Sequence, residues 1–101
     1  MSTFKTYLIE KKQLISQVEG QIVSDMNGEK VMLSVKNGKY YNLGRIGGDI
    51  WELINSPKTL DDLVVSLTEK YEVSVQDCRI QVERFLEMLW NEGLVKVTEK
   101  Q

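Results

Sequence analysis

Residues 38–54 read GKYYNLGRIGGDIWELI, and inside this stretch the spacing of apolar side chains changes once. Up to Leu43 the β-branched and aromatic residues follow the two-residue alternation of a strand. Beyond it Ile46, Ile50, Leu53 and Ile54 fall at i, i+4, i+7 and i+8, one face of a helix. That helix must stop before Pro57, because the residue preceding a proline is pushed into extended geometry. A strand therefore passes into a helix through Gly44, Gly47 and Gly48, and the chain divides there into a β half and an α half.

Upstream, Asn27-Gly28 and Asn37-Gly38 are the dipeptides that tolerate positive φ at both positions of a tight hairpin. They predict a meander over residues 21–26, 31–36 and 39–43, with a further strand near 14–18. Downstream, Thr59 and Asp62 have capping-box spacing ahead of the apolar face Leu60, Leu63, Val64, Leu67 and Tyr71. Ser74 and Asp77 repeat that opening before the stripe Val75, Cys78, Val82, Phe85, Leu86 and Leu89, which Gly93 terminates. LVKV at 94–97 has the composition of a short last strand. The predicted fold is α+β: a three-stranded antiparallel sheet followed by three helices, close to a winged helix-turn-helix.

A chain of 101 residues with 42% hydrophobic and 28% charged residues is one small folded domain. A formal charge of −2 and a pI near 5.2 give no global positive field for nucleic acid or an anionic membrane. The N-terminal stretch lacks the apolar core and small-residue site of a signal peptide, and no apolar run is long enough for a membrane span, so a cytoplasmic protein is expected. Cys78 is the single cysteine, which excludes an intramolecular disulfide and fits a reducing compartment. Histidine is absent, which removes the usual partner of a nucleophile and the commonest zinc ligand. Neither a metal nor a cofactor is expected.

Four features could carry chemistry. The LGRIGGD glycines stand where a phosphate loop would, at a helix start, but no Lys-Ser or Lys-Thr follows and no βαβ unit precedes them. They read as a turn that lets a helix pack closely on a sheet. Cys78 lies on an apolar stripe, and with no histidine in the chain a general base for it would have to be improvised, so it reads as a small hydrophobe. Asp61, Asp62, Glu83 and Glu87 fall at helix starts or on polar faces, where macrodipole and solvation account for them. A winged-helix DNA-binding protein is the alternative reading, yet residues 74–91 carry three acids (Asp77, Glu83, Glu87) against two bases (Arg79, Arg84). What remains is the strand KYYNL, last in the meander. Either its outer edge is open to an incoming extended peptide, or the N-terminal segment covers it.

The segments GEKVMLSVKNGKYYNLGRIGGDIWELI, TLDDLVVSLTEKYEVS and VERFLEMLWNEGLVKV, in this order, resemble the PqqD-like proteins, and among them the stand-alone leader-peptide-binding proteins of lasso-peptide pathways, a type of RiPP recognition element. The likeness spans residues 21–97, leaving 1–20 as a partly ordered N-terminal segment and 98–101 as a tail. It implies a non-catalytic domain that binds the leader of a ribosomally made precursor peptide. The leader would add as an antiparallel strand to Lys39, Tyr40, Tyr41, Asn42 and Leu43, with its side chains in a groove walled by the third helix. Val75, Cys78, Arg79 and Val82 are the candidate residues on that helix. The implied partners are the leader peptide, a leader peptidase of the cysteine-protease type and an ATP-dependent cyclase.

Overall fold

The computed structural model describes residues 13–98. They run as β1 (Leu14–Gln17), β2 (Gln21–Met26), β3 (Glu29–Ser34), β4 (Lys39–Leu43), α1 (Gly44–Leu53), α2 (Leu60–Lys70), α3 (Val75–Asn91) and β5 (Val95–Thr98). The predicted α+β fold, a three-stranded antiparallel sheet and three helices, is the observed one, with β2-β3-β4 as the order in that sheet.

The first hairpin is what its turn residues dictate. Asn27 and Gly28 take positive φ, +59° and +84°, and leave Met26 directly opposite Glu29. The second Asn-Gly pair behaves differently. Ser34 is paired with Lys39, so residues 35–38 form a four-residue loop in which Gly38 (φ +65°) is the residue with positive φ. Ser34 closes it, its carbonyl accepting from Gly38 N at 2.8 Å and its hydroxyl from Asn37 N at 3.2 Å. The strand predicted over 31–36 is therefore shifted to 29–34, because both residues at its far end belong to this loop.

β1 and β5 form a second, two-stranded antiparallel sheet, with Leu14 opposite Thr98 and Gln17 opposite Val95. The other edge of β1 is tied to the α1–α2 connection through Ile15 N to Lys58 O (2.7 Å) and Lys58 N to Ile15 O (3.0 Å). The folded unit thus takes in residues on both sides of the 21–97 span.

The core lies between the sheets and the helices, with Ile15, Met32, Ile50, Ile54, Leu63, Leu67, Leu86, Leu89 and Leu94 fully buried. Both expected N-caps form. Thr59 Oγ1 accepts from Asp62 N while Asp62 accepts from Thr59 N, and Ser74 Oγ accepts from Asp77 N.

Between β4 and α1 there is no loop. Val31 lies opposite Asn42 but Lys30 lies opposite Gly44, so Leu43 is an extra residue, a bulge with helical φ/ψ of −79° and −17°. Gly44 follows at φ +72°, its N–H bonded to Asn42 Oδ1 at 2.9 Å. A Cβ on Gly47 would lie 2.8 Å from Phe85 Cε1, and one on Gly48 would lie 2.8 Å from Lys30 Cγ. The glycine-rich stretch thus does what its structural reading required: it lets the start of α1 press against both α3 and the sheet.

Candidate functional site

The site is built at β4. In the β2-β3-β4 sheet its outer edge has no strand partner among the described residues, and β1 pairs with β5 and Lys58 instead. Residues 1–12 lie outside the described residues, so the cover expected of the N-terminal segment concerns only β1 here.

Alternation along β4 sends Lys39, Tyr41 and Leu43 toward the helices and Tyr40 and Asn42 to the opposite face. Tyr41 is part-buried and Leu43 buried, whereas Tyr40 is 75% exposed. The near end of β4 is fixed to the end of α3. Tyr41 Oη donates to Glu92 Oε1 at 2.6 Å, Asn37 Nδ2 donates to Glu92 O at 2.8 Å, and Lys39 Nζ lies 3.4 Å from the same carboxylate. The hydrogen bond from Tyr41, with Lys39 beside it, holds the Glu92 carboxyl below its ordinary pKa of 4.5.

These contacts fix which side of α3 faces the strand. Glu92 touches Tyr41, and Phe85 reaches the backbone at Gly47 beside Leu43. Helix geometry sets Gln81, Phe85, Met88 and Glu92 on one stripe, at i, i+4, i+7 and i+11. Phe85 is part-buried, while Gln81 and Met88 are exposed. On this side of α3, part-buried Phe85 and exposed Met88 precede the contact that Glu92 makes with Tyr41.

The four helix residues singled out from sequence occupy other places. Cys78 and Val82 are 4% and 1% exposed and line a small apolar cavity of about 20 Å³ with Ile46, Leu67, Tyr71 and Val73. They are core. Arg79 pairs with Asp61 at the start of α2, and Val75 is an exposed residue of the first turn of α3. The structure therefore brings Lys39 and Tyr41 to Glu92, and Leu43 and Phe85 to Gly47, while Tyr40 and Asn42 lie on the opposite face and Cys78 and Val82 are in the core. The sequence signal for the groove was the mixed stripe 81–85–88–92, apolar in its middle and polar at its ends, which lies beside the more apolar stripe that fills the core.

Chemically the site can hold an extended peptide by main-chain hydrogen bonds and apolar contact. Burial pushes the Cys78 thiol above its ordinary pKa, with Arg79 only partly opposing, so at neutral pH it is protonated. Among the described residues no cluster of metal-ligating side chains occurs, and no helix is long and apolar enough to cross a membrane. The opposite sheet edge, β2, borders a wider cleft of about 530 Å³, but ion pairs cross it: Lys30 lies 2.9 Å from Glu52 and 3.5 Å from Asp25. A strand entering there would meet charged groups in place of an apolar wall.

Residues 29–95 match the family of coenzyme PQQ synthesis protein D (PqqD), two thirds of the chain, and the chain belongs to that family. Among solved structures it is similar to TbiB1 in complex with the TbiA(beta) leader peptide, with a TM-score of 0.72 and 23% identity over 80% of this chain and 94% of that one. No curated protein matches.

Proposed function

We propose that this protein binds the leader peptide of a ribosomally made precursor, the leader adding as an antiparallel strand to the outer edge of β4. The observation that carries this reading is the outer edge of Lys39–Leu43, which has no strand partner among the described residues and is tied through Tyr41 and Lys39 to Glu92 at the end of α3. Strand addition draws affinity from backbone hydrogen bonds and specificity from pockets for alternate side chains, and both are on offer here. Membership of the PqqD family and likeness to a domain solved with a leader peptide support it. The domain itself performs no chemistry. It presents the precursor to a leader peptidase and, after cleavage, to an ATP-dependent cyclase that closes a lasso.

The binding residues are Lys39, Tyr40, Tyr41, Asn42 and Leu43 through the strand, with Phe85, Met88 and Glu92 in place of the buried Cys78 and Val82. The test is fluorescence polarisation with the labelled leader of the cognate precursor. Saturable binding in the range of about tens of micromolar or tighter is expected, and its absence would end this reading.

A further inference from the structure

An antiparallel sheet with one solvated face alternates apolar toward the core and polar toward water. The face of this sheet turned away from the helices departs from that rule along one line. Ile22 is paired with Leu33 and Leu33 with Tyr40, so three large side chains stand directly opposite one another across the three strands. Leu33, with a neighbour on each side, is part-buried. Tyr40 has a neighbour on one side only and is 75% exposed, at the edge that has no strand partner among the described residues. No charge lies close to it on this face. The other outward side chains nearest to Tyr40 are Asn42 and Val31, and the one charged strand residue here is Glu29, opposite Met26 beside the distant Asn27-Gly28 turn.

The geometry of strand pairing decides what meets the outer flank of Tyr40. Residues directly opposite in an antiparallel pair point to the same face, with Cβ atoms about 4.5–5.5 Å apart. A leader added at β4 therefore sets one side chain against Tyr40, and turns the residues before and after it toward the helices. What stands open is room for one side chain. The whole row offers on the order of a few hundred Å², well under the roughly 800 Å² that each side of a stable protein interface contributes, so it suits neither a second copy nor another folded partner. Aromatic rings pair favourably across strands with other rings and with β-branched side chains. A charged leader residue would find nothing there to pair with.

We infer that the leader is read on both faces of its strand, with an aromatic or β-branched side chain of the peptide packed on Tyr40 on the face away from the helices. This rests on the leader-binding reading above and deepens it, because it names a feature of the peptide. The strands run in opposite directions, so the residue opposite Tyr41 comes one position before the residue opposite Tyr40. A peptide held from the helix side alone would accept any polar residue at every second position. This one does not.

The test is a serine scan of the labelled leader of the cognate precursor, each peptide titrated by fluorescence polarisation against wild type and against Tyr40→Ser in the full chain. One position bearing an aromatic or β-branched side chain should lose about two- to fivefold in affinity for wild type and nothing for Tyr40→Ser. Serine at the positions before and after it should change affinity by the same factor for both proteins. The ring of Tyr40 already faces solvent, so the melting temperature should hold; should Tyr40→Ser lower it, Tyr40→Thr, which suits a strand and lacks the ring, carries the test. A scan in which no position depends on Tyr40 overturns the inference. So does dependence at a polar position, dependence spread evenly over all positions, or a wild-type dimer that the variant dissociates, which would make a second copy the occupant. Failure of wild type to bind the leader at all is a separate result, and it removes the leader-binding reading itself.

Discussion

Phe85 occupies the space that a side chain at position 47 would need: a Cβ on Gly47 would fall 2.8 Å from its Cε1 and 2.9 Å from its Cζ. Gly47 has ordinary helical geometry, so alanine there gains about 1 kcal/mol of helix propensity while overpacking costs about 1–3 kcal/mol. Gly47→Ala is expected to destabilise the domain by up to about 2 kcal/mol in urea unfolding. In a Phe85→Leu background, where the clash is relieved, the same change should be neutral or stabilising. Equal costs in both backgrounds would mean that Phe85 is not what excludes the methyl.

Met88→Glu and Val82→Glu should separate groove from core. Met88 is 37% exposed, one turn before Glu92 on α3, and a carboxylate there should leave the fold intact while removing leader affinity. Val82 is 1% exposed, so its glutamate variant buries an unpaired charge and loses several kcal/mol of stability. A folded Val82→Glu protein, or a Met88→Glu protein that binds leader normally, would contradict this division.

A proline scan of Lys39, Tyr40, Tyr41 and Asn42 should give an alternating pattern, because successive residues of an edge strand direct their N–H groups alternately inward and outward. Variants that lose an N–H bonded to β3 should melt earlier. Those that lose an outward N–H should keep their melting temperature and lose about 0.5–1.5 kcal/mol of leader binding per bond. Four folded variants with wild-type affinity would show that the peptide does not add to this strand.

Acidification should act through Glu92. Its carboxyl is held below 4.5, first by Tyr41 and then by Lys39. A depressed carboxylate contributes stability that is present above its unfolded-state value and lost as pH falls through the folded one. The melting temperature of wild type should therefore exceed that of Tyr41→Phe at about pH 6, and the gap should narrow by about pH 3. A gap independent of pH would assign the tyrosine a packing role alone.

The parts of the fold that were legible in the sequence are those with local causes. The change of period at Leu43, the caps at Thr59 and Ser74 and the Asn27-Gly28 turn each depend on residues within a few positions of one another. The β1–β5 sheet was not legible, since Leu14 pairs with Thr98 across nearly the whole chain and no local signal marks a partner so distant. The Asn37-Gly38 turn misled because Ser34 closes a four-residue loop there and the side-chain amide of Asn37 donates to Glu92 O, a contact across 55 residues that exists only once the end of α3 has docked. The groove misled for a different reason. The most apolar stripe of α3, through Cys78, Val82, Leu86 and Leu89, is the one the core takes, whereas a binding wall must be apolar and accessible at once, as Phe85 and Met88 are.

The missing loop at Leu43–Gly44 and the Tyr41–Glu92 tie hold β4 at both of its ends, while one long side of the strand goes unpaired among the described residues. For a peptide that adds there, the receiving backbone is already in its bound shape, so the ordering entropy of association falls on the peptide alone. Encounter should then be a single kinetic step with no slow rearrangement of the domain, and related peptides should differ chiefly in how long they stay. The same arrangement gives amide hydrogens that are rigid yet exchange quickly with solvent along the outer edge, and that become protected when a peptide occupies it.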